Sequence, residues 1–389
     1  MYQLIKSKAI LDGTGSAPIP EGCLLIQNDR IAGIGKEEEF AGLDGIVEMV
    51  DCTSHYILPG LIDSHNHLSI VPALGDQLGQ MALPPGRNIL RSLPNIQKSL
   101  QSGVTTMRIV GEENFIDIDI KKAIEEELIP GPRLLVSGRG LVASNGHGAA
   151  LTVSDGEEEI RRHARENFAK GADLIKLFVT GGISSSKTGI DFCSYSSKEV
   201  RMAVEEADRY GSYVAAHAHG GPGLDLCIEE GVRTIEHAAL INESQLEGVV
   251  NKDLWIIGTF SILFHETGIE QTDFNDPVIK DKVLRTREIV SENFHRVIHS
   301  GANLALGTDS MHGLLAYEME CLVRFGATNI QAISAVTKHA AEALRIEDRL
   351  GTLEKGKIAD FIGLPANPLD DIKNMSQVEF VYKNGKQIT

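Results

Sequence analysis

Leu58-Pro-Gly-Leu-Ile-Asp-Ser-His-Asn-His67 is the stretch on which the reading of this chain turns. Pro59 and Gly60 make a turn, a short apolar run follows, and two histidines one residue apart end it. Side chains at i and i+2 of a β-strand share a face, so His65 and His67 would aim their imidazoles at one point. Two neutral imidazoles converging at a strand end make half of a metal site. By itself the pair is equally compatible with surface histidines in a loop, so ligand-type residues elsewhere must decide.

Working outward, strand-like and helix-like segments take turns between residues 58 and 350. The strands expected are Leu58 to Ile62, Thr105 to Val110, Arg133 to Ser137, Leu174 to Phe178, Tyr213 to Ala216, Thr234 to Glu236, Trp255 to Gly258 and Asn303 to Leu306. Eight strands separated by helical patterns predict an α/β fold of the (β/α)8 TIM-barrel type over 58–350. Asp155 to Lys170 opens acidic and closes at Gly171, and Ser196 or Ser197 caps a helix that ends before Gly211. The stretch Leu68 to Arg87, apolar and interrupted by Pro72, Pro84 and Pro85, reads as a wall or lid over the mouth of such a barrel. Residues 1–57 and 351–389 instead carry short β-type runs and turns, including a hairpin signal at Asn384-Gly385. Neither end alone can bury a face, so both are expected to form one accessory β-sandwich domain.

In a barrel the active site lies at the carboxyl ends of the strands, and ligand-type residues recur there. Lys176 falls within the fourth strand, His217 ends the fifth, His237 ends the sixth and Asp309 follows the eighth. Each has a plain alternative reading. A lone core histidine usually just accepts or donates a hydrogen bond, and Asp309 could cap a helix near Leu314. A lysine inside an apolar strand is costly unless its amine is neutral and nucleophilic. All six together, counting His65 and His67, favour a metal site.

With those residues in place, the chain resembles the amidohydrolase superfamily, within it the branch of prolidase-like and carboxypeptidase-like metallopeptidases related to imidazolonepropionase. The resemblance runs through Leu58 to His67, the Lys176 strand with Thr180-Gly-Gly182, His217, Ile235-Glu-His237, Gly307-Thr-Asp309 and Gly351 to Asp360. It implies two divalent metal ions, zinc with manganese or cobalt as substitutes. His65, His67 and Asp309 would hold one ion, His217 and His237 the other, and Lys176, carboxylated by carbon dioxide, would bridge them. The implied reaction is hydrolysis of an amide, of a dipeptide or an N-acyl amino acid, by a hydroxide shared between ions ~4 Å apart. Asp309 would take the proton from the nucleophile and return it to the departing amine.

Weaker candidates for substrate contact are His147 and Arg139 on the loop after the third strand, His219 beside His217, Tyr195 on loop four and His312 on loop eight. Arg139, Lys187, His147 and His219 hint at a free carboxylate on the substrate. Specificity is expected in the loops 68–87, 139–150, 183–195 and 259–276. The net charge of −17 argues against nucleic acid or an anionic membrane as partner. No apolar run approaches a membrane span, no secretory leader is evident, and five scattered cysteines lack any CxxC pair, so a reduced, cytoplasmic protein is expected. Barrels of this size often associate, and a homo-oligomer is expected. The rival readings are a cyclic-amide hydrolase, a mononuclear deaminase and a non-catalytic binding protein on an enzyme scaffold. A deaminase needs no lysine in strand four and places a carboxylate after the fifth-strand histidine, where this chain has Ala-His-Gly-Gly-Pro.

Overall fold

The computed structural model describes residues 2–42, 47–148, 151–271 and 273–389; Ala149, Ala150 and Thr272, within two of the loops expected to carry specificity, lie outside them. Each of the eight expected strands has a counterpart. Leu61–Asn66, Val104–Ile109 and Arg133–Val136 form a three-stranded parallel sheet. Leu141–Val142, Ile175–Phe178, Val214–Ala218, Thr234–His237, Trp255–Gly258 and Asn303–Leu306 form a six-stranded parallel one. Parallel strands covered by helices on one side and core on the other are buried throughout. The run Val-Thr-Thr-Met-Arg-Ile, with every residue buried, shows that pattern.

The third expected strand is broken by the turn Ser137 to Gly140, with Gly138 at φ 65°, and so contributes an edge to each sheet. At the other pair of edges the Asp309 N–H donates to the His65 carbonyl at 2.9 Å. Gly307 comes so close there that a Cβ would stand 2.4 Å from the His65 nitrogen.

The intervening helices follow their terminal chemistry. Gly156–Lys170 has three glutamates in its first turn and stops at Gly171, whose φ of 114° is left-handed. Ser196 and Glu199 make a capping box for Ser197–Arg209. Leu68 to Arg87 holds a short helix, Gln77–Met81, before the long helix Pro85–Gln101 begins.

The two ends of the chain pair as expected, but in one hydrogen-bonded sheet of eight strands where a two-sheet sandwich was anticipated. Its centre is the strand Val47–Pro59, flanked by Tyr2–Ile10 on one side and Phe361–Leu364 on the other. Register shifts after Ser7 and Leu25 bend the sheet. Its edge strand Arg30–Gly35 thereby meets the segment before Phe361, through Ile31 N–H to Lys357 C=O at 2.9 Å and Gly356 N–H to Ile31 C=O at 2.8 Å. Curling lets one sheet enclose Ile5, Leu24, Ile26, Phe361 and Tyr382 without a second. Leu58 and Pro59 belong to this sheet, pairing with Ile362 and Phe361, and the strand bearing His65 starts only at Leu61. The last hairpin turns at Asn384 and Gly385, both with positive φ, 52° and 73°. Among the described residues no helix is long and apolar enough to cross a membrane, and all five cysteines are free.

Candidate metal centre

The site is built on a fully buried ionic layer. Arg108 donates from Nε to the Ser64 carbonyl at 2.6 Å, from Nη1 to Thr234 Oγ1 at 2.8 Å, and from Nη2 to both Glu236 oxygens at 2.8 and 2.9 Å. Glu236 Oε2 lies 2.6 Å from His65 Nδ1. Burial alone would raise the Glu236 carboxyl, but Arg108, His65 and Lys176 hold it down at about 2. It is therefore an acceptor, and His65 Nδ1 must carry the proton.

That assignment exposes the chemistry above. With Nδ1–H bonded to Glu236, His65 turns its Nε2 towards Asp309 Oδ1, 3.3 Å away. His67 Nδ1 faces the Gly111 carbonyl at 2.9 Å, and burial keeps its ring neutral, so its Nε2, 3.7 Å from the same Oδ1, is a bare acceptor. Burial would raise Asp309, yet the two imidazoles and the Lys176 amine keep its carboxyl well below the usual range. Two imidazole nitrogens and an ionised carboxylate thus converge, an arrangement that a cation would satisfy.

Adjacent imidazoles continue the pattern. His217 Nε2 bonds the Gly181 carbonyl at 3.0 Å and His237 Nδ1 meets Thr259 Oγ1 at 2.8 Å. His217, His219 and His237 bring ligand atoms within 4.8 Å of one another, as do His65, His237 and Asp309, so His237 joins the two sets. Burial, helped by neighbouring positive groups, pushes His217 and His237 well below their ordinary value, and pushes His67 and His219 down to about 3 and His147 to about 4. All are neutral near pH 7, as ligation requires.

Lys176 is fully buried, its Nζ 4.8 Å from the Phe178 ring centroid and without a hydrogen-bond partner among the described residues. Burial lowers its amine to about 8 against the pull of Glu236 and Asp309. His237 and Asp309 also adopt left-handed backbone, φ 74° and 47°, which side-chain-bearing residues rarely hold without compensation. The donor set, imidazoles plus carboxylate around an unpartnered buried amine, fits a divalent metal centre.

A cavity opens over the ring. His67, His147, His217, His219, His237 and Asp309, with Gln77, Ser184 and Thr259, form its polar part; Ile70, Leu78, Met81, Ile183, Ile262 and Leu263 are among its apolar walls. His147 stacks on His217, centroids 4.8 Å apart, and Gly182 lies so close to it that a Cβ would meet the ring at 2.3 Å. Three sequence candidates are placed elsewhere. Arg139 pairs with Glu166 at 2.5 Å over the Phe115 ring. Tyr195 donates its hydroxyl to the Ser154 carbonyl at 3.1 Å, and His312 Nδ1 stands 3.5 Å from Ser99 Oγ. None of the three lines the cavity, nor does the exposed Lys187. Of the four groups that hinted at a substrate carboxylate, His147 and His219 line the cavity, while Arg139 is bonded to Glu166 and Lys187 faces solvent.

Sequence reasoning passed over Arg108, Glu236 and Asp63. Asp63 accepts from the Thr308 N–H and hydroxyl at 3.1 and 2.7 Å and from Asn66 Nδ2 at 2.8 Å, stapling the histidine strand to the turn that carries Asp309. For Arg108, between Met107 and Ile109, the available signal was the same one that marked Lys176: a charge flanked by apolar residues inside a strand.

Comparison with known proteins agrees with this geometry. The Amidohydrolase family profile matches residues 56–388. Ochratoxinase of Aspergillus niger is 28% identical, over 98% of this chain and 86% of that protein. Imidazolonepropionase of Geobacillus sp. (strain WCH70) is 22% identical, over 95% and 90%. The crystal structure of a Xaa-Pro dipeptidase with methionine bound in its active site superposes with a TM-score of 0.91 at 26% identity, covering 100% of both chains. With a profile spanning most of its length and hydrolases of carbon–nitrogen bonds among its relatives, the chain belongs to the amidohydrolase family.

Proposed function

We propose that this protein is a binuclear-metal amidohydrolase that cleaves the amide bond of a dipeptide or N-acyl amino acid. The observation that carries the reading is the convergence of His65 Nε2, His67 Nε2 and Asp309 Oδ1, the two nitrogens 3.3 and 3.7 Å from the oxygen. Those three residues would hold one ion and His217 with His237 the second. Lys176, as its carbamate, would offer an oxygen to each, which accounts for an amine buried without a partner. When bound, the ions supply Lewis-acid polarisation of the amide carbonyl and a water acidic enough to deprotonate near neutrality.

The remaining chemistry belongs to the side chains. Asp309 is ionised and faces the cavity, so its carboxylate accepts the proton of the attacking water and returns it to the amine nitrogen, a poor leaving group until protonated. His147 and His219 are neutral, line the cavity and have unpartnered Nδ1 atoms, which suits them to orient a substrate oxygen. Water is restricted by the apolar walls from residues 70–81 and 262–269. We read the two parallel sheets as one closed barrel of residues 58–350, with 1–57 and 351–389 as the accessory domain. The known actions of the relatives, on a Xaa-Pro dipeptide and on ochratoxin, support an acyl–amine substrate. Zinc-loaded protein is expected to hydrolyse members of a dipeptide and N-acyl amino acid library; cleavage of none would remove this reading.

A further inference from the structure

Lys282, on the helix Pro277–His299, is a buried cation that takes no part in the metal centre. Its ammonium donates to three backbone carbonyls of a single loop: Gly182 at 3.1 Å, Ser185 and Thr188. Among the described residues no carboxylate pairs with it. An ammonium taken out of water is costly, and here carbonyl dipoles supply the compensation an anion usually gives. Burial accordingly lowers its pKa. The result is a clasp between the loop after the fourth parallel strand and a helix some hundred residues later. Ile183 and Ile190 of the same loop pack against Ile279 and Val283 beside the clasp.

This loop shapes the cavity directly. Ile183 and Ser184 line it, Gly181 holds His217 through its carbonyl, and Gly182 lies against His147. We propose that Lys282 is a positioning residue that fixes the 181–192 loop as an apolar wall, and so selects substrates carrying a bulky, uncharged side chain. The proposal rests on the amidohydrolase reading and adds a substrate class to it. The opposite side of the cavity is apolar too, through Leu78, Met81, Ile262 and Leu263. Among the described residues no lysine or arginine lines the cavity, and Lys282 and Arg139 are already committed, to the loop carbonyls and to Glu166. A charged side chain would therefore lose its hydration with only Asp309, neutral imidazoles and the uncharged Gln77, Ser184 and Thr259 in return among the described lining residues.

The test compares the metal-loaded wild type with Lys282→Met, and with Lys282→Gln, which keeps a donor without the charge and serves if the first variant does not fold. Amide hydrogen exchange in 181–192 is expected to quicken about tenfold or more in either variant, with metal content unchanged. For amides bearing a leucine or phenylalanine side chain, kcat/KM is expected to fall about tenfold, through KM, with kcat within about twofold. Wild-type preference for those amides over their aspartate and lysine counterparts is expected to exceed about a hundredfold and to narrow in the variants. Unchanged exchange in the loop overturns the clasp, and equal cleavage of charged and apolar substrates overturns the substrate class, each leaving the amidohydrolase reading intact. If no amide is cleaved, that reading falls, and with it the substrate class, while exchange still decides the clasp.

Discussion

Two layers of buried polar groups lie one above the other at the same strand ends, and they are solved differently. In the lower layer Arg108, Thr234, Glu236 and the Nδ1 side of His65 satisfy one another completely within about 3 Å. In the upper layer Lys176 Nζ, His147 Nδ1 and His219 Nδ1 find no hydrogen-bond partner among the described residues, though these residues too are buried. Closed networks support a structure; groups left unpaired at the cost of burial are kept for a ligand. His65 belongs to both layers, so the lower one dictates which of its nitrogens faces the upper.

Breaking the upper layer at the proton shuttle should give the largest effect. Asp309→Asn is expected to lower kcat about a thousandfold with the fold retained, measured by steady-state kinetics and circular dichroism. Breaking the lower layer should act on stability first. Arg108→Met strands the Glu236 charge and is expected to cost about 3–5 kcal/mol in denaturant unfolding, whereas Arg108→Met with Glu236→Gln recovers a substantial part. If the double variant is no more stable than the single one, the lower layer is not the self-contained pair described. Stripping metal with a chelator should be milder, lowering stability by about 3 kcal/mol for an ion present at a hundred times its Kd, and restored by zinc.

The smallest effect concerns pH and sits outside both layers. Glu318 accepts the Phe260 and Ser261 N–H groups at 2.6 and 2.7 Å, yet burial pushes its carboxyl up to about 8. The folded state therefore binds this proton more tightly than the unfolded chain, whose value is 4.5. Its contribution is whole below about 4.5 and is lost as pH rises through about 8. Glu318→Gln is expected to flatten the fall in unfolding midpoint between about pH 5 and pH 8, and an unchanged slope would remove the assignment.

What the sequence disclosed follows the same division. His65, His67, His217, His237 and Asp309 were legible because strand ends with turn signals fix where a side chain points, and Lys176 because a lysine in an apolar run is conspicuous. Arg108 is equally conspicuous in Val104–Ile109 but its partners come from sequence positions some 130 residues away, which no local pattern reveals. Arg139 and Tyr195 were misplaced for the converse reason. Loop residues can turn either way, and Glu166 and the Ser154 carbonyl, supplied by tertiary packing, turned these two from the cavity. The terminal sheet was legible in its strands but not in its curl, which depends on register shifts after Ser7 and Leu25.

The central claim, that the unpaired layer is a two-ion centre organised on Lys176, is tested most directly by counting metal. Zinc per chain is measured by mass spectrometry in wild type and in Lys176→Ala, both purified in the presence of zinc and bicarbonate and desalted. The account predicts about two ions per wild-type chain and one or fewer in the variant, since the carbamate would ligate both. Wild type without bound metal, or a variant that still holds two ions, would contradict it.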